Sequence, residues 1–218
     1  MSVYAVSPRP GHAVAFEEAL RGHAHWARQQ GSGPGWKVFA VTAGKRVGNH
    51  LVMSGDHSWE DLDANRELAA EAAARWRANV SGHVASVNGG IYRFMADYSR
   101  FPDDVDTYPM AIVSVFSMRP TSARTYMRNL RKVTDALKTR ESAPPALWYQ
   151  QVAGGEQGTF LNIRPFRKWH EWPNEASSRA MANAMDPEEI AAIVAELAMV
   201  ILREETMVVV LRPELGSP

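Results

Sequence analysis

One histidine and one arginine carry most of the chemistry that residue type and spacing allow in this chain. His50 opens the short apolar run His50-Leu-Val-Met-Ser54. A neutral-pH imidazole there suits general-base work or ligation, or it is a partly solvated residue beginning a hairpin arm. Arg164 closes the run Thr159–Arg164. A guanidinium in such surroundings needs an acceptor, because an unpaired buried charge is strongly destabilising. A ligand carboxylate or carbonyl would serve. So would a Glu or Asp of the other half of the chain, or water at a strand end just before Pro165. Side chains alternate along a strand, so His50 shares a face with Val52 and Ser54, and Arg164 with Phe160 and Asn162. The remaining histidines offer less. His23 and His25 stand two apart on a helix and cannot converge on one metal. His23 falls at a core position, while His12, His57, His83 and His170 read as turn or surface residues. With no cysteine in the chain, thiolate metal sites, disulfides and a Cys nucleophile are excluded. No phosphate-cradling Gly-rich loop, HExxH or nucleophile elbow is present, and neither a metal nor a cofactor is expected.

The elements that must position these residues follow from periodicity. Val3–Ser7 is a β-rich run ended by Pro8 and Pro10. Phe16, Leu20, His23 and Ala27 recur at helical spacing, which predicts a helix over His12–Gln30. Gly31-Ser-Gly-Pro-Gly35 breaks it. Trp36–Thr42 and His50–Ser54 read as a hairpin across Gly44–Gly48. A short turn near Trp59 leads into an Ala-rich helix over Asp61–Val87, stopped by Asn88-Gly-Gly90, and Ile91–Tyr98 is the last strand. The second half reads alike: strand Ala111–Met118, helix Ser122–Arg140, a break at Ala143-Pro-Pro145, and a hairpin of Leu147–Ala153 with Thr159–Arg164. A helix over Glu188–Glu205 and the strand Met207–Leu211 complete it. Asp186, Pro187, Glu188 and Glu189 make a favourable helix start. The His170–Met185 segment is longer than its counterpart and reads as a lid.

The two halves are one pattern written twice. Slid by roughly 110 residues, Arg9-Pro10 falls on Arg119-Pro120, Phe16 on Tyr126, Leu20 on Leu130 and Leu51 on Leu161. Trp59 falls on Trp169 and, with a small slip, Trp36 on Trp148. Symmetric recurrence of these tryptophans points to packing rather than to a cofactor. Each half is therefore a βαββαβ unit, an antiparallel four-stranded sheet with both helices on one face. Residues 1–100 form the first, 101–109 a polar linker, and 110–218 the second. A bare apolar sheet face needs a partner, and the fused second copy supplies it. The expected class is thus α+β, two tandem ferredoxin-like units with their sheets packed face to face as an α/β barrel. Leu51/Met53 and Leu161/Ile163 are expected under the helices. The opposite set, His50 with Tyr4, Ser54, Ser114, Phe116, Gln151, Asn162 and Arg164, is expected to face the barrel interior. There His50 would be catalytic and the others would bind substrate.

Ser58-Trp-Glu-Asp-Leu62 and Lys168-Trp-His-Glu-Trp172, each just after a third strand, extend the pattern. With the order helix, Trp strand, hairpin, they make the chain resemble the dimeric α/β-barrel superfamily over nearly its whole length, twice. Within it the chain is similar to the antibiotic-biosynthesis monooxygenases and the NIPSNAP-like proteins. The resemblance implies a small-molecule-binding barrel, read as a cofactor-independent monooxygenase-like enzyme on an aromatic or polyketide-like substrate. It also implies two alternatives: a non-catalytic ligand-binding or interaction protein of NIPSNAP-like type, and a haem-binding protein, for which no histidine is well placed.

Composition bounds the partners. The 218 residues are 45% hydrophobic and 22% charged, with 24 basic against 24 acidic side chains. That balance gives no electrostatic footprint for nucleic acid or an anionic membrane. The N-terminus lacks a signal-peptide pattern, and a soluble, cytoplasmic protein is expected. The segment Ile190–Leu202 is apolar nearly all round, whereas covering a sheet needs one stripe. Its second apolar face predicts a homodimer interface, or burial beneath the lid-like segment.

Overall fold

A computed structural model describes residues 1–30, 35–55, 57–64, 66–138, 140 and 142–217, the side chains of Asp106 and Pro120 apart. Most of the glycine-rich break predicted after the first helix lies outside the described residues. The elements of the first half are β1 (Ser2–Pro8), α1 (Ala13–Gln30), β2 (Trp36–Ala43), β3 (His50–Ser54), α2 (Trp59–Ala64), α3 (Arg66–Asn79) and β4 (Val84–Phe94). Those of the second are β5 (Met110–Met118), α4 (Ala123–Lys138), β6 (Leu147–Ala153), β7 (Thr159–Phe166), α5 (Pro173–Ala182), α6 (Pro187–Val200) and β8 (Ile201–Leu211). The chain divides into two compact units, residues 1–91 with 210–218, and residues 92–209. The divisions fall inside β4 and β8. Each unit is built on antiparallel sheet, with the hydrogen-bonded order β1-β3-β2 in the first and β5-β7-β6 in the second.

In the first unit β3 lies between β1 and β2, with Val6 opposite His50 and Val38 opposite Val52. Phe16 and Leu20 of α1 bury against Val6, Val38, Val80 and Leu215, and Val52 packs on this cluster. The helix pattern thus buries the face that its spacing marks. In the second unit Tyr126 and Leu130 of α4 bury against Met118 and Phe160, with Phe116 and Trp148 beside them. The duplication is visible in atomic detail: the Phe16 and His50 rings stand 5.1 Å apart, and their repeat counterparts Tyr126 and Phe160 stand 4.9 Å apart.

Two expected elements are corrected. Asn88-Gly89-Gly90 does not end a helix; it lies inside β4, paired with Ala5, Tyr4 and Val3 of β1. The helix ends earlier, at Asn79. Gly89 is there because a Cβ would run into the Val3 carbonyl and the Tyr4 ring. Gly89→Ala is therefore expected to lower stability by about 1–3 kcal/mol, the usual cost of overpacking. A denaturation midpoint equal to wild type would contradict this close approach. The last helix stops at Val200 instead of Glu205, and β8 begins at Ile201. Residues 201–211 are rich in β-branched side chains, which fit a pleated surface better than a helix. The polar 101–109 stretch carries local structure of its own. It holds a 3-10 turn at Val105–Thr107. It is also tied down by Arg167, which pairs with Asp104 and lies 4.0 Å over the Tyr108 ring.

Trp36 stacks on His23 at 5.6 Å, and Trp148 stacks on Phe116 at 5.8 Å, as packing residues should. Trp59 and Trp169 do not bury and stay 63% and 59% exposed. The lid-like segment forms a 3-10 turn at Trp169–Glu171 followed by α5, with Pro173 and Ala180 buried. In α6 Ile193 is buried, while Val194 and Met199 are 56% and 75% exposed. The single acid in its apolar stretch, Glu196, accepts hydrogen bonds from Arg128 at 2.6 Å and Asn129 at 2.8 Å on α4. Among the described residues no helix is long and apolar enough to cross a membrane.

Candidate functional site

In the second unit β5 and β7 run antiparallel with Ile112 opposite Arg164, Ser114 opposite Asn162, and Phe116 opposite Phe160. Trp148 of β6 stands opposite Asn162. Directly opposed residues share a face. Phe116, Phe160 and Trp148 pack on Tyr126 of α4, so this face looks at the helices. The sequence reading placed it in the barrel interior, and that orientation is corrected here. Burial gave no guide, because Val113 and Leu161 on the opposite face are as deeply buried. What decides the face is bulk. Three aromatic rings fill the gap between sheet and α4, which the smaller aliphatic side chains would leave open.

The polar side chains on this face form a linked set. Ser114 is fully buried, and its Oγ lies 3.0 Å from Thr206 Oγ1. It also accepts a hydrogen bond from Arg164 Nη2 at 3.2 Å. Arg164 Nη1 donates to Asn174 Oδ1 on α5. Asn162 donates its amide to the Leu147 carbonyl at 3.2 Å. Thr206 donates to Glu204 at 3.3 Å, and both of these residues are exposed. The Arg164 Nε–H is buried and has no partner. A buried donor left unmade costs about 1–3 kcal/mol, more when charged. Burial pulls the Arg164 pKa down, and the Glu204 charge pushes it back up. Burial, helped by Glu204, holds the Tyr126 hydroxyl well above the usual phenol range. Aromatic walls stand on both sides, Phe116, Tyr126 and Phe160 on one and Phe166 with Trp172 on the other. A guanidinium with an unused donor, hydroxyls, a nearby carboxylate and aromatic walls can hold an oxygen-bearing ring and receive a proton from it.

The first unit holds a different arrangement. His50 Nε2 lies 3.0 Å from Glu17 Oε1 on α1. Arg212 clamps the same carboxylate with two hydrogen bonds, at 2.9 and 2.8 Å. His50 is buried, and its Nδ1 has no partner. The bond to Glu17 turns His50, with Val52, toward α1 rather than away from it. Tyr4 pairs across from Val52, and Ser54 stands two residues further along β3 with its Oγ 3.2 Å from His57 Nε2, so both lie on this same face. Gln151 of the second unit sits on the far face from Gln150 and reaches the Ala153 carbonyl at 3.5 Å, apart from the polar set.

Two first-unit histidines are expected to make stability sensitive to acid. His23 sits among Trp26, Trp36 and Trp76, with ring centroids 5.6, 5.6 and 5.9 Å away and a buried, unpartnered Nδ1. Burial pulls both His23 and His50 below the ordinary imidazole value of 6.5, although the Glu17 bond raises His50 in part. The unfolded chain then takes up these protons first as pH falls. Their contribution to stability is full above 6.5 and is lost progressively as pH falls from there through the lower folded-state values. Glu17 acts lower. Arg212 depresses its pKa, so its contribution is present above 4.5 and lost as pH falls further. The expected result is a denaturation midpoint that falls as pH is lowered below 6.5, with a smaller fall in His23→Phe. A wild-type midpoint flat over that range would contradict the assignment.

No protein-family model and no curated protein matches the sequence. Solved structures do. An anthrone oxidase-like protein aligns over 97% of this chain and 92% of its own, with a TM-score of 0.57 and 16% identity. A candidate monooxygenase from Lactobacillus acidophilus NCFM aligns over 99% and 94%, with a TM-score of 0.58 and 8% identity. The chain has the dimeric α/β-barrel fold. Chlorite dismutase from Candidatus Nitrospira defluvii, in complex with imidazole, shares it over 98% and 91%, with a TM-score of 0.57 and 9% identity. At such identities the likeness is one of fold.

Within this dimeric α/β-barrel chain the second unit gathers Ser114, Phe116, Asn162 and Arg164, four of the residues singled out from sequence. Reading the sequence missed Tyr126, Asn174, Glu204 and Thr206 beside them. Extending the last helix through Glu205 hid Glu204, since strand alternation from Val208 back to Thr206 and Glu204 would have put it on the Ser114 face. Glu17 and Arg212 were missed because nothing in their local sequence marks a partner 195 positions away.

Proposed function

We propose that the helix-facing side of the second unit's sheet is a small-molecule site, and that the chain is a cofactor-independent, monooxygenase-like enzyme on an aromatic or polyketide-like substrate. The observation that carries this is the half-sunk Arg164, which keeps a buried donor unused between aromatic walls. Its other two nitrogens meet only neutral oxygens of Ser114 and Asn174. Fold likeness to an anthrone oxidase-like protein and a candidate monooxygenase supports the reaction class.

In this reading Arg164 and Ser114 hold the oxygen of a phenol or of an enolisable aryl ketone as its anion. Glu204 takes the proton. The electron-rich ring carbanion then reduces dioxygen directly. One oxygen atom enters the product as a new carbonyl, the other leaves as water, and the substrate supplies the electrons. Haem does not fit here. An axial histidine would have to face the patch, and His170, the second unit's one histidine, lies in the 3-10 turn and is exposed. Oxygen uptake with anthrone as substrate tests the proposal. Turnover by metal-free wild type that collapses in Glu204→Gln supports it; equal uptake by both, or none, removes it.

A second reading rests on His50, the buried imidazole steadied by a carboxylate. Such a pair suits a general base, with Tyr4 and Ser54 on its face as substrate contacts. His50→Phe, which copies its repeat counterpart Phe160, should then abolish turnover and not merely shift stability. Retained turnover assigns His50 to packing.

We also infer a homodimer through residues 190–202, from the exposed Val194, Met199 and Leu202. Light scattering at micromolar concentration should give twice the chain mass; a clean monomer removes the interface.

A further inference from the structure

The chain carries a pair of histidines that neither site uses. His12 Nδ1 and His83 Nδ1 face each other at 3.2 Å, with ring centroids 5.5 Å apart. Two imidazole lone pairs aimed at each other repel, so something positive must lie between them. In the metal-free protein a ring proton does so, donated by one nitrogen and accepted by the other. A metal ion can do the same. Two nitrogens each about 2.05 Å from a tetrahedral metal stand about 3.3 Å apart, close to the observed separation.

We infer that His12 and His83 form an open two-histidine site for a late first-row divalent cation. The pair is held in advance by the backbone. Arg9 N–H donates to the His83 carbonyl at 2.9 Å, and His12 N–H donates to the Arg9 carbonyl at 2.9 Å. The Arg9 side chain anchors the same corner, its Nε donating to the Val84 carbonyl at 3.1 Å. His83 itself ends a 3-10 turn whose N–H returns to Val80. The backbone of both residues is thus tied at one corner, and a small turn of each ring aims both lone pairs at one ion. The Arg9 charge nearby disfavours hard cations held by charge alone, such as Ca(II) and Mg(II). Imidazole nitrogen favours Cu(II) first, then Ni(II) and Zn(II). Among the described residues no third histidine or carboxylate joins the pair, so water or an outside ligand completes the coordination.

Calorimetric titration of the full chain with CuCl2 and with ZnCl2 tests this. Wild type should bind one equivalent of each ion, Cu(II) the more tightly. His12→Ala and His83→Ala should each weaken that binding by at least about tenfold, which is about 1.4 kcal/mol. His25→Ala, which alters an exposed histidine elsewhere on α1, should bind as wild type does. Unchanged binding in His12→Ala or His83→Ala, an equal loss in His25→Ala, or no binding by wild type would overturn the site.

Discussion

Phe160→Ala should lower the unfolding free energy by about 3–5 kcal/mol, the largest stability loss expected in the second unit. The side chain is fully buried, opposite Phe116 across β5 and β7 and 4.9 Å from the Tyr126 ring. Tyr126 in turn meets Phe116 and Trp148, so one deleted ring loosens three others. Removing it leaves a cavity that a sheet and a helix cannot close by collapsing together. Denaturant unfolding followed by far-UV circular dichroism measures the loss. Trp59→Ala, at an exposed tryptophan, is the control and should stay within about 0.5 kcal/mol of wild type. A Phe160→Ala loss below about 1 kcal/mol would mean that α4 does not rest on this face, contrary to a core residue's usual cost.

Arg164→Met should weaken the binding of an aromatic ligand that carries an anionic or enolisable oxygen by about 10–100-fold. That corresponds to the 1.5–3 kcal/mol, roughly, of a charge-assisted hydrogen bond. Methionine keeps the apolar stem and so preserves packing beside the aromatic walls. Ligands that lack the oxygen should bind the variant as well as they bind wild type. Arg164→Lys should recover only part of the loss, since a point charge cannot use the Nε and Nη donors of a planar fork together. Equal affinity in wild type and Arg164→Met, measured calorimetrically, would take Arg164 out of the site.

The repeat, the packing of Trp36 and Trp148 and the order of elements were legible in the sequence, because apolar spacing is set by the same burial that shapes each unit; Trp59 and Trp169 recur as well but stay exposed. His50–Ser54 matches β3 residue for residue, and α1 begins one residue later than expected. The direction of each sheet face was not legible. Alternation says which residues share a face, and both faces here are buried, so His50 and Arg164 could be grouped with the right neighbours and still be turned the wrong way. Helix-borne partners settled it, Glu17 for His50 and Asn174 for Arg164. Those partners lie on elements that local patterns cannot relate to a strand. Gly89 misled for the opposite reason: a glycine pair in sequence reads as a stop, and close backbone approach inside a strand leaves the same trace.

A crystal structure of the protein with bound anthrone would show which sheet face takes the ligand. The ligand is expected on the helix-facing side of the second unit's sheet, its oxygen within hydrogen-bond distance of Arg164 Nε and its rings between Phe116 and Trp172. A ligand seated on the opposite face, against Val113 and Leu161, would contradict it and restore the orientation first read from the sequence.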